Sequence, residues 1–150
     1  MSHSSFSHLD ASGTARMVET GHKPIQRRTA IAEGFVQMAP DTISALRAQA
    51  LPKGDVLTVA RIAAIQAAKR TDSLIPLCHS LPLDAVEVDF SVEEGGVAIR
   101  ATAITNAKTG VEMEALTAVG IAGLTIYDMC KSIDKSMVLQ NIRLISKTKQ

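Results

Sequence analysis

Hydrophobic and polar positions alternate most cleanly between Val86 and Glu93, where Val86, Val88, Phe90 and Val92 interleave with Glu87, Asp89, Ser91 and Glu93. A period of two predicts a half-buried strand. Glu94-Gly95-Gly96 then reads as a hairpin turn, and Val97 to Thr105 as the returning partner. Beyond it the pattern changes. Acids stand at Glu112 and Glu114, thirteen uncharged residues follow, and Asp128 and Lys131 close the segment. A helix so apolar must be buried, in its own core or against another subunit. Thr109 and Gly110 are placed to open it, and acids just inside its N-terminus suit the positive end of the helix dipole.

The remaining elements complete one architecture. Residues up to about Gly21 predict an irregular arm, and Thr29 to Met38 a strand weakened by Gly34. Pro40-Asp41 opens a short helix that ends before Pro52. Lys53-Gly54-Asp55 forms a turn and cap for a second helix, Val56 to Arg70, rich in Ala and Ile. Pro76 and Pro82 bracket a loop holding Leu77, Cys78 and His79, and Val138 to Ser146 reads as the last strand. The order βααββαβ predicts a ferredoxin-like α+β sandwich, an antiparallel sheet with helices packed on one face. At this length a single domain spanning residues 1–150 is expected.

Composition narrows the function classes. Hydrophobic residues make up 46% of the chain but aromatics only 3%, so the core must rely on Ala, Val, Ile and Leu. A net charge of +1 offers no bulk attraction to nucleic acid or membrane. An RNA-binding sheet would carry stacking aromatics on its strands, yet Phe6 and Tyr127 fall outside the predicted strands, leaving Phe35 and Phe90. Cys78 and Cys130 are far apart, have no metal-ligand spacing and suit a reducing compartment. The amino terminus lacks a basic segment followed by an apolar one, so a cytoplasmic protein is expected. The uncharged run before Asp128 is shorter than the roughly 20 residues that cross a bilayer.

Several residues carry candidate chemistry. Asp128 lies near the negative end of the long helix, where a carboxylate is disfavoured, and Lys131 on the same face offsets that cost. A surface ion pair is the commonest outcome of this spacing. Burial would instead give a pair with tunable pKa values, suited to proton transfer. Glu112 and Glu114 diverge around the helix. Lys69 and Arg70 end the second helix, where cations are favoured by the dipole in any case. Adjacent side chains such as Cys78 and His79 rarely face each other, so they make a poor nucleophile pair; His79 suits hydrogen bonding or proton transfer. Lys53, Lys69, Lys131 and Lys147 together supply charge for a polyanionic ligand. With no Gly-rich phosphate loop or dinucleotide fingerprint, side chains and loop amides would have to hold any phosphate.

These segments add up to a family resemblance. Lys53-Gly-Asp-Val-Leu, Ala68-Lys-Arg-Thr71, Leu74-Ile-Pro-Leu-Cys-His79, Thr109-Gly-Val-Glu-Met-Glu-Ala-Leu-Thr-Ala118 and Leu124-Thr-Ile-Tyr-Asp-Met-Cys-Lys131 closely resemble the cyclic pyranopterin monophosphate synthase family, the C proteins of molybdenum cofactor biosynthesis. The likeness runs from Ser7-His-Leu-Asp10 to Lys147. It implies conversion of 3′,8-cyclo-7,8-dihydro-GTP to cyclic pyranopterin monophosphate with release of pyrophosphate. It also implies a ferredoxin-like fold and a homohexamer, a trimer of dimers, with active sites at subunit interfaces.

Carried over by position, the resemblance makes Asp128 the catalytic acid/base with Lys131 beside it. Leu77, Cys78 and His79 become a substrate-binding loop, and Met113 with Glu114 a second contact segment. Lys53, Lys69, Glu112 and Lys147 fall on functional positions as well. Asp128, Lys131, Lys53 and His79 are then the expected catalytic set, relaying protons while a purine ring opens and a pterin closes. Cations such as Lys53, Lys69 or Lys147 would meet the charge that develops on pyrophosphate. Of the family pattern Asp-Val-x-x-Lys-x-x-Thr-x-Arg, Lys23 and Arg28 remain as substrate contacts. Ser80 replaces the usual Pro after the His. Lys147-Thr-Lys-Gln150 lacks a Gly-Gly-Lys tail, which implies weaker hold on the phosphates. No metal site and no required cofactor are expected, although Mg²⁺ is compatible with a triphosphate. A relative that binds substrate without turning it over is the alternative reading.

Overall fold

The structure, a computed structural model, describes residues 7–150, so the start of the expected arm lies outside the described residues. The described part of the arm is irregular as expected. It has turns and one isolated antiparallel bridge between Leu9 and Ala15. Regular structure then follows as β1 (Gln26–Gln37), α1 (Pro40–Arg47), α2 (Val56–Lys69), α3 (Thr71–Leu74), β2 (Ala85–Val92), β3 (Gly96–Ala107), α4 (Glu112–Cys130) and β4 (Val138–Lys149).

The expected order holds, with the single turn α3 added. The Thr71 hydroxyl donates to the carbonyls of Ala67 and Ala68, holding the chain as it leaves α2. Four residues are too few to show a helical period in sequence. The strands also outrun their expected ends: β1 begins at Gln26 rather than Thr29, and β4 reaches Lys149 rather than Ser146. Pairing between strands causes both extensions, with Gln26 opposite Ala107 and Arg28 opposite Lys149. These ends are polar, so no alternation marks them.

The four strands form one antiparallel sheet in the order β2-β3-β1-β4, which is ferredoxin-like topology. Ala30, Ala32 and Val36 on β1 are buried, as are Ile99, Ala101 and Ala103 on β3. The residues between them are half-buried or exposed, so the helices cover one face. From α4, Ala115, Ala118, Val119, Ala122, Ile126 and Met129 recur every three or four residues and fill that face. By length and composition α4 could cross a membrane, but half of that stretch is buried within the fold. It is the core helix of the sandwich.

Small residues let α4 lie close to the sheet. A Cβ added at Gly34 would stand 2.7 Å from Val119 Cγ1 and 3.2 Å from Ile142 Cγ1. One at Gly123 would stand 3.0 Å from Leu139 Cδ2. Gly34 weakens β1 by propensity, yet it is where the helix presses down. Beside it the β1–β4 register slips on both sides of Glu33, and Asn141 takes up the irregularity with φ of 56°.

Helix ends fix the connections. Asp55 caps α2, as expected, accepting from the Thr58 amide at 3.1 Å. Thr109 and Gly110 do not cap α4. Its N-cap is Val111, which offers no side-chain bond, and the Glu112 carboxylate folds back over Gly110 instead. The first turn of α1 is satisfied from a distant residue: Asp134 Oδ2 accepts from the Ala39 amide and the Thr42 hydroxyl, both at 2.9 Å. Its other oxygen accepts from the Ser136 amide and hydroxyl. Burial raises the proton affinity of Asp134, but these hydrogen bonds outweigh it and hold the pKa at about 2. The turn after α4 is thereby locked to α1.

Gly34→Ala should therefore lower unfolding stability by about 1–3 kcal/mol, the usual cost of overpacking. A denaturant titration giving the parental midpoint would show that α4 does not bear on β1 as described.

Candidate active site

The N-terminal end of α4 opens onto a groove made of two adjoining cavities. One, of about 430 Å³, is lined by Val18 of the arm, Leu77, Cys78, His79, Met113 and Glu114, among others. The second, of about 370 Å³, is lined by Lys23, Arg28, Lys108, Glu112, Lys147 and Lys149, with neighbouring backbone. Lys23, Thr109, Gly110 and Glu112 border both cavities. The loop, first-turn and arm residues singled out from sequence thus meet in one place.

The second cavity is built for a polyanion. Five cations face one carboxylate there, and Glu112 already pairs with Lys147 at 3.0 Å. Arg28 reaches the Lys108 carbonyl at 3.4 Å, while its Nε is buried with no hydrogen-bond partner among the described residues. Lys108 donates to the Gly21 carbonyl at 2.8 Å, pinning the arm along the groove.

The first cavity holds His79, Glu114 and Cys78. His79 Nε2 lies 2.7 Å from the Val18 carbonyl. A carbonyl can only accept, so Nε2 carries the hydrogen, and in the neutral ring Nδ1 keeps its lone pair for a substrate proton. Glu114 is 4% exposed and has no cationic partner within ion-pair distance among the described residues. Burial pushes its pKa up to about 7, and the charges of Glu112 and Asp72 add to the rise. The Cys78 thiol is also pushed up, first by burial and then by Glu114 and Asp72. It stays protonated at neutral pH, which removes it as a thiolate nucleophile.

Asp128 stands elsewhere. Its Oδ1 is 2.7 Å from Lys131 Nζ and its Oδ2 is 2.9 Å from Lys53 Nζ. Lys53 also donates to the Asp128 carbonyl at 3.0 Å. The carboxylate is 56% exposed, so this is the surface pair that the spacing favours, enlarged by Lys53, rather than a desolvated one. The Lys131 hydrogen bond first, then that of Lys53, hold the Asp128 pKa down to about 2. At 1.5 Å of rise per residue, Asp128 lies about 24 Å along α4 from Glu112. Two groups that far apart cannot act on the same atom. Within one chain, the expected catalytic set is split: His79 lies in the groove, and Asp128, Lys131 and Lys53 lie at the far end of α4.

Lys53 precedes α2 and meets the end of α4, so the two helices run antiparallel and Lys69 lies toward the groove end. Lys69 lines neither cavity and forms no ion pair among the described residues. No three carboxylate, imidazole or thiol groups gather to hold a metal among those residues. Lys108 and Lys149 belong to the cationic cavity but were not singled out from sequence. The spacing of Lys147 and Lys149, two apart on a strand, would have indicated the second had β4 been carried past Ser146.

Fold and groove define a ferredoxin-like α+β protein with a cation-lined, small-molecule-sized cleft at one end of its core helix. The profile of the MoaC family matches residues 17–150, and the chain belongs to that family. It is 56% identical over 147 residues to the cyclic pyranopterin monophosphate synthase of Oleidesulfovibrio alaskensis, covering 97% of this chain and 92% of that protein. It is 57% identical over 143 residues to the synthase of the same name from Chloroflexus aggregans, covering 94% and 87%. A molybdenum cofactor biosynthesis bifunctional protein of Chlorobaculum tepidum is 53% identical over 143 residues, which cover 95% of this chain and 46% of the relative.

The raised proton affinity of Glu114 has a stability consequence. The folded state binds this proton more tightly than the unfolded chain does, so stability falls as pH rises from about 4.5 to about 7. Glu114→Gln removes the buried charge that forms above that window. The variant should match the parent near pH 5 and exceed it at pH 8 by up to about 3 kcal/mol. Melting curves with the same offset at both pH values would contradict this account of Glu114.

Proposed function

We propose that this chain is a cyclic pyranopterin monophosphate synthase of molybdenum cofactor biosynthesis, a phosphorus–oxygen lyase. It converts 3′,8-cyclo-7,8-dihydro-GTP to cyclic pyranopterin monophosphate and pyrophosphate. The observation that carries the reading is the joining of a cation-lined cavity to a pocket holding His79 and Glu114. The names of relatives more than half identical to it support the same conclusion.

The division of labour follows from the chemistry. Lys23, Arg28 and Lys147, joined by Lys108 and Lys149, hold the triphosphate and stabilise the charge that develops as pyrophosphate leaves. Leu77, Cys78, His79, Met113 and Glu114 surround the ring system, while Lys69, exposed at the end of α2, lines neither cavity. His79 exchanges a proton through Nδ1. Mg²⁺ is compatible with the triphosphate as its counter-ion but is not required, the phosphate cavity itself offering five ammonium and guanidinium groups against the one carboxylate of Glu112. No other cofactor is needed, because ring opening and closure require only water and protons.

The separation along α4 points to a second copy. A site that uses both His79 and Asp128 must take them from different chains, as in a homohexamer built as a trimer of dimers. Leu124 on α4 and Ile142 and Ile145 on β4 are 56%, 45% and 40% exposed, apolar surface suited to such contacts. At the interface Asp128 stays ionised and holds the ammonium groups of Lys53 and Lys131 in place. We place the enzyme, as one synthase domain, in the cytoplasm, where Cys78 and Cys130 remain free thiols.

Incubation with 3′,8-cyclo-7,8-dihydro-GTP should yield the cyclic pterin and pyrophosphate, and Asp128→Asn should lower turnover by about 10²–10⁴-fold. A folded protein that binds the nucleotide but forms no product would be a binding relative instead.

Mixing tests the shared site. Asp128→Asn and His79→Ala chains, unfolded together and reassembled, form mixed pairs with one doubly altered site and one intact site. Activity should rise well above that of either variant alone. If it stays at the average of the two variants, both residues serve a site within one chain.

A further inference from the structure

We propose that Glu114 is the catalytic proton-exchanging group of the groove, giving a proton to the bound heterocycle and later recovering one. This rests on the synthase reading and extends it, because Glu114 has so far been only a lining contact.

The argument starts from position. Glu114 occupies the first turn of α4, is buried, and lines the cavity that also holds His79. Its helical neighbour Glu112 turns to the other cavity and pairs with Lys147. Glu114 has no such partner among the described residues. The charged and titratable groups around it are mostly not ones that would keep it ionised. Asp72 of α3 and Glu112 of its own helix raise its proton affinity. Cys78 is a neutral thiol, and His79 is committed through Nε2 to the arm. His8 and Lys23 of the arm complete the lining. Lys23 also borders the phosphate cavity, where a bound polyanion would engage it.

The carboxyl therefore divides between its two forms near neutrality, the condition for an efficient acid–base catalyst. Asp128, held ionised by two lysines, does not meet it. Hydrolytic opening of a ring C–N bond adds water across it, the hydroxyl to carbon and a proton to nitrogen. The Glu114 carboxylic acid supplies that proton and becomes a carboxylate, and the proton of the attacking water passes to His79 Nδ1. When the new ring closes by condensation, the attacking nitrogen returns its proton to Glu114. His79 gives its proton to the departing hydroxyl, which leaves as water. Both residues end as they began.

The test compares wild-type protein with Glu114→Gln, which preserves shape and can still donate a hydrogen bond but cannot exchange a proton. We expect wild-type kcat/KM to show a descending limb around neutrality as the Glu114 acid is lost with rising pH. The variant should bind 3′,8-cyclo-7,8-dihydro-GTP within a few-fold of wild type, lose about 10²–10⁴-fold in kcat, and show no such limb. Carbon-13 spectra of Glu-labelled protein should contain one carboxyl titrating near neutrality that is missing from the variant. A variant that weakens binding but keeps kcat and the wild-type pH profile overturns the proposal while the synthase reading stands. Wild-type protein that forms no product overturns both.

Discussion

The close contact of α4 with β1 is the constraint on which the rest depends. Gly34 and Gly123 remove the side chains that would hold helix and sheet apart, and alanines on both surfaces keep them close. A core with so few aromatics cannot be filled by a few large groups, so it is closed by bringing backbones together. That approach fixes the axis of α4. Fixing the axis sets where both its ends lie: Glu112 and Glu114 beside the loop of His79, Asp128 beside Lys53. The bulged pairing of β4 near Gly34 is part of the same packing, because Ile142 fills the space that a side chain there would need.

The two ends of this helix treat a carboxyl in opposite ways. At the C-terminal end Asp128 is in water with two ammonium groups on its oxygens, so charge is favoured and the proton is lost until strongly acid pH. At the N-terminal end the helix dipole favours a carboxylate, yet Glu114 is buried with acidic neighbours and has no ion-pair partner among the described residues. Desolvation wins there because the dipole contributes at most a kcal/mol or two, about one pKa unit. Sequence position alone would have ranked the two residues the other way, with Glu114 the ordinary helix-start acid and Asp128 the anomalous one.

That reversal marks where sequence reading ends. The strand of Val86 to Val92, its hairpin partner, the Asp55 cap and the apolar long helix were legible because each is written in local period or spacing. Their order was enough for the topology. Illegible were features set by distant partners: α3, held by hydroxyl bonds from Thr71; the polar ends of β1 and β4, held by pairing; and the first turn of α1, satisfied by Asp134. The groove residues named by resemblance do converge. Lys108 and Lys149 escaped notice because a lysine is informative only once the cavity it faces is known. Within a single chain α4 keeps Asp128 and His79 at opposite ends, so the catalytic set that the resemblance implies is not joined by local spacing.

The arrangement at Glu112 links the two halves of the groove electrostatically. Its carboxylate pairs with Lys147 in the phosphate cavity, and its own charge raises the proton affinity of Glu114. When a polyphosphate enters, Lys147 gains a stronger anionic partner, and negative charge accumulates beside a buried carboxyl. Both changes favour the protonated form of Glu114. Substrate binding and proton uptake at Glu114 are then thermodynamically coupled, each strengthening the other. The enzyme would be loaded with its acid by the same event that brings the ring to it, and departure of pyrophosphate would release that hold. The cations of the groove thus bear on the proton chemistry as well as on the phosphate, through a single glutamate that borders both cavities.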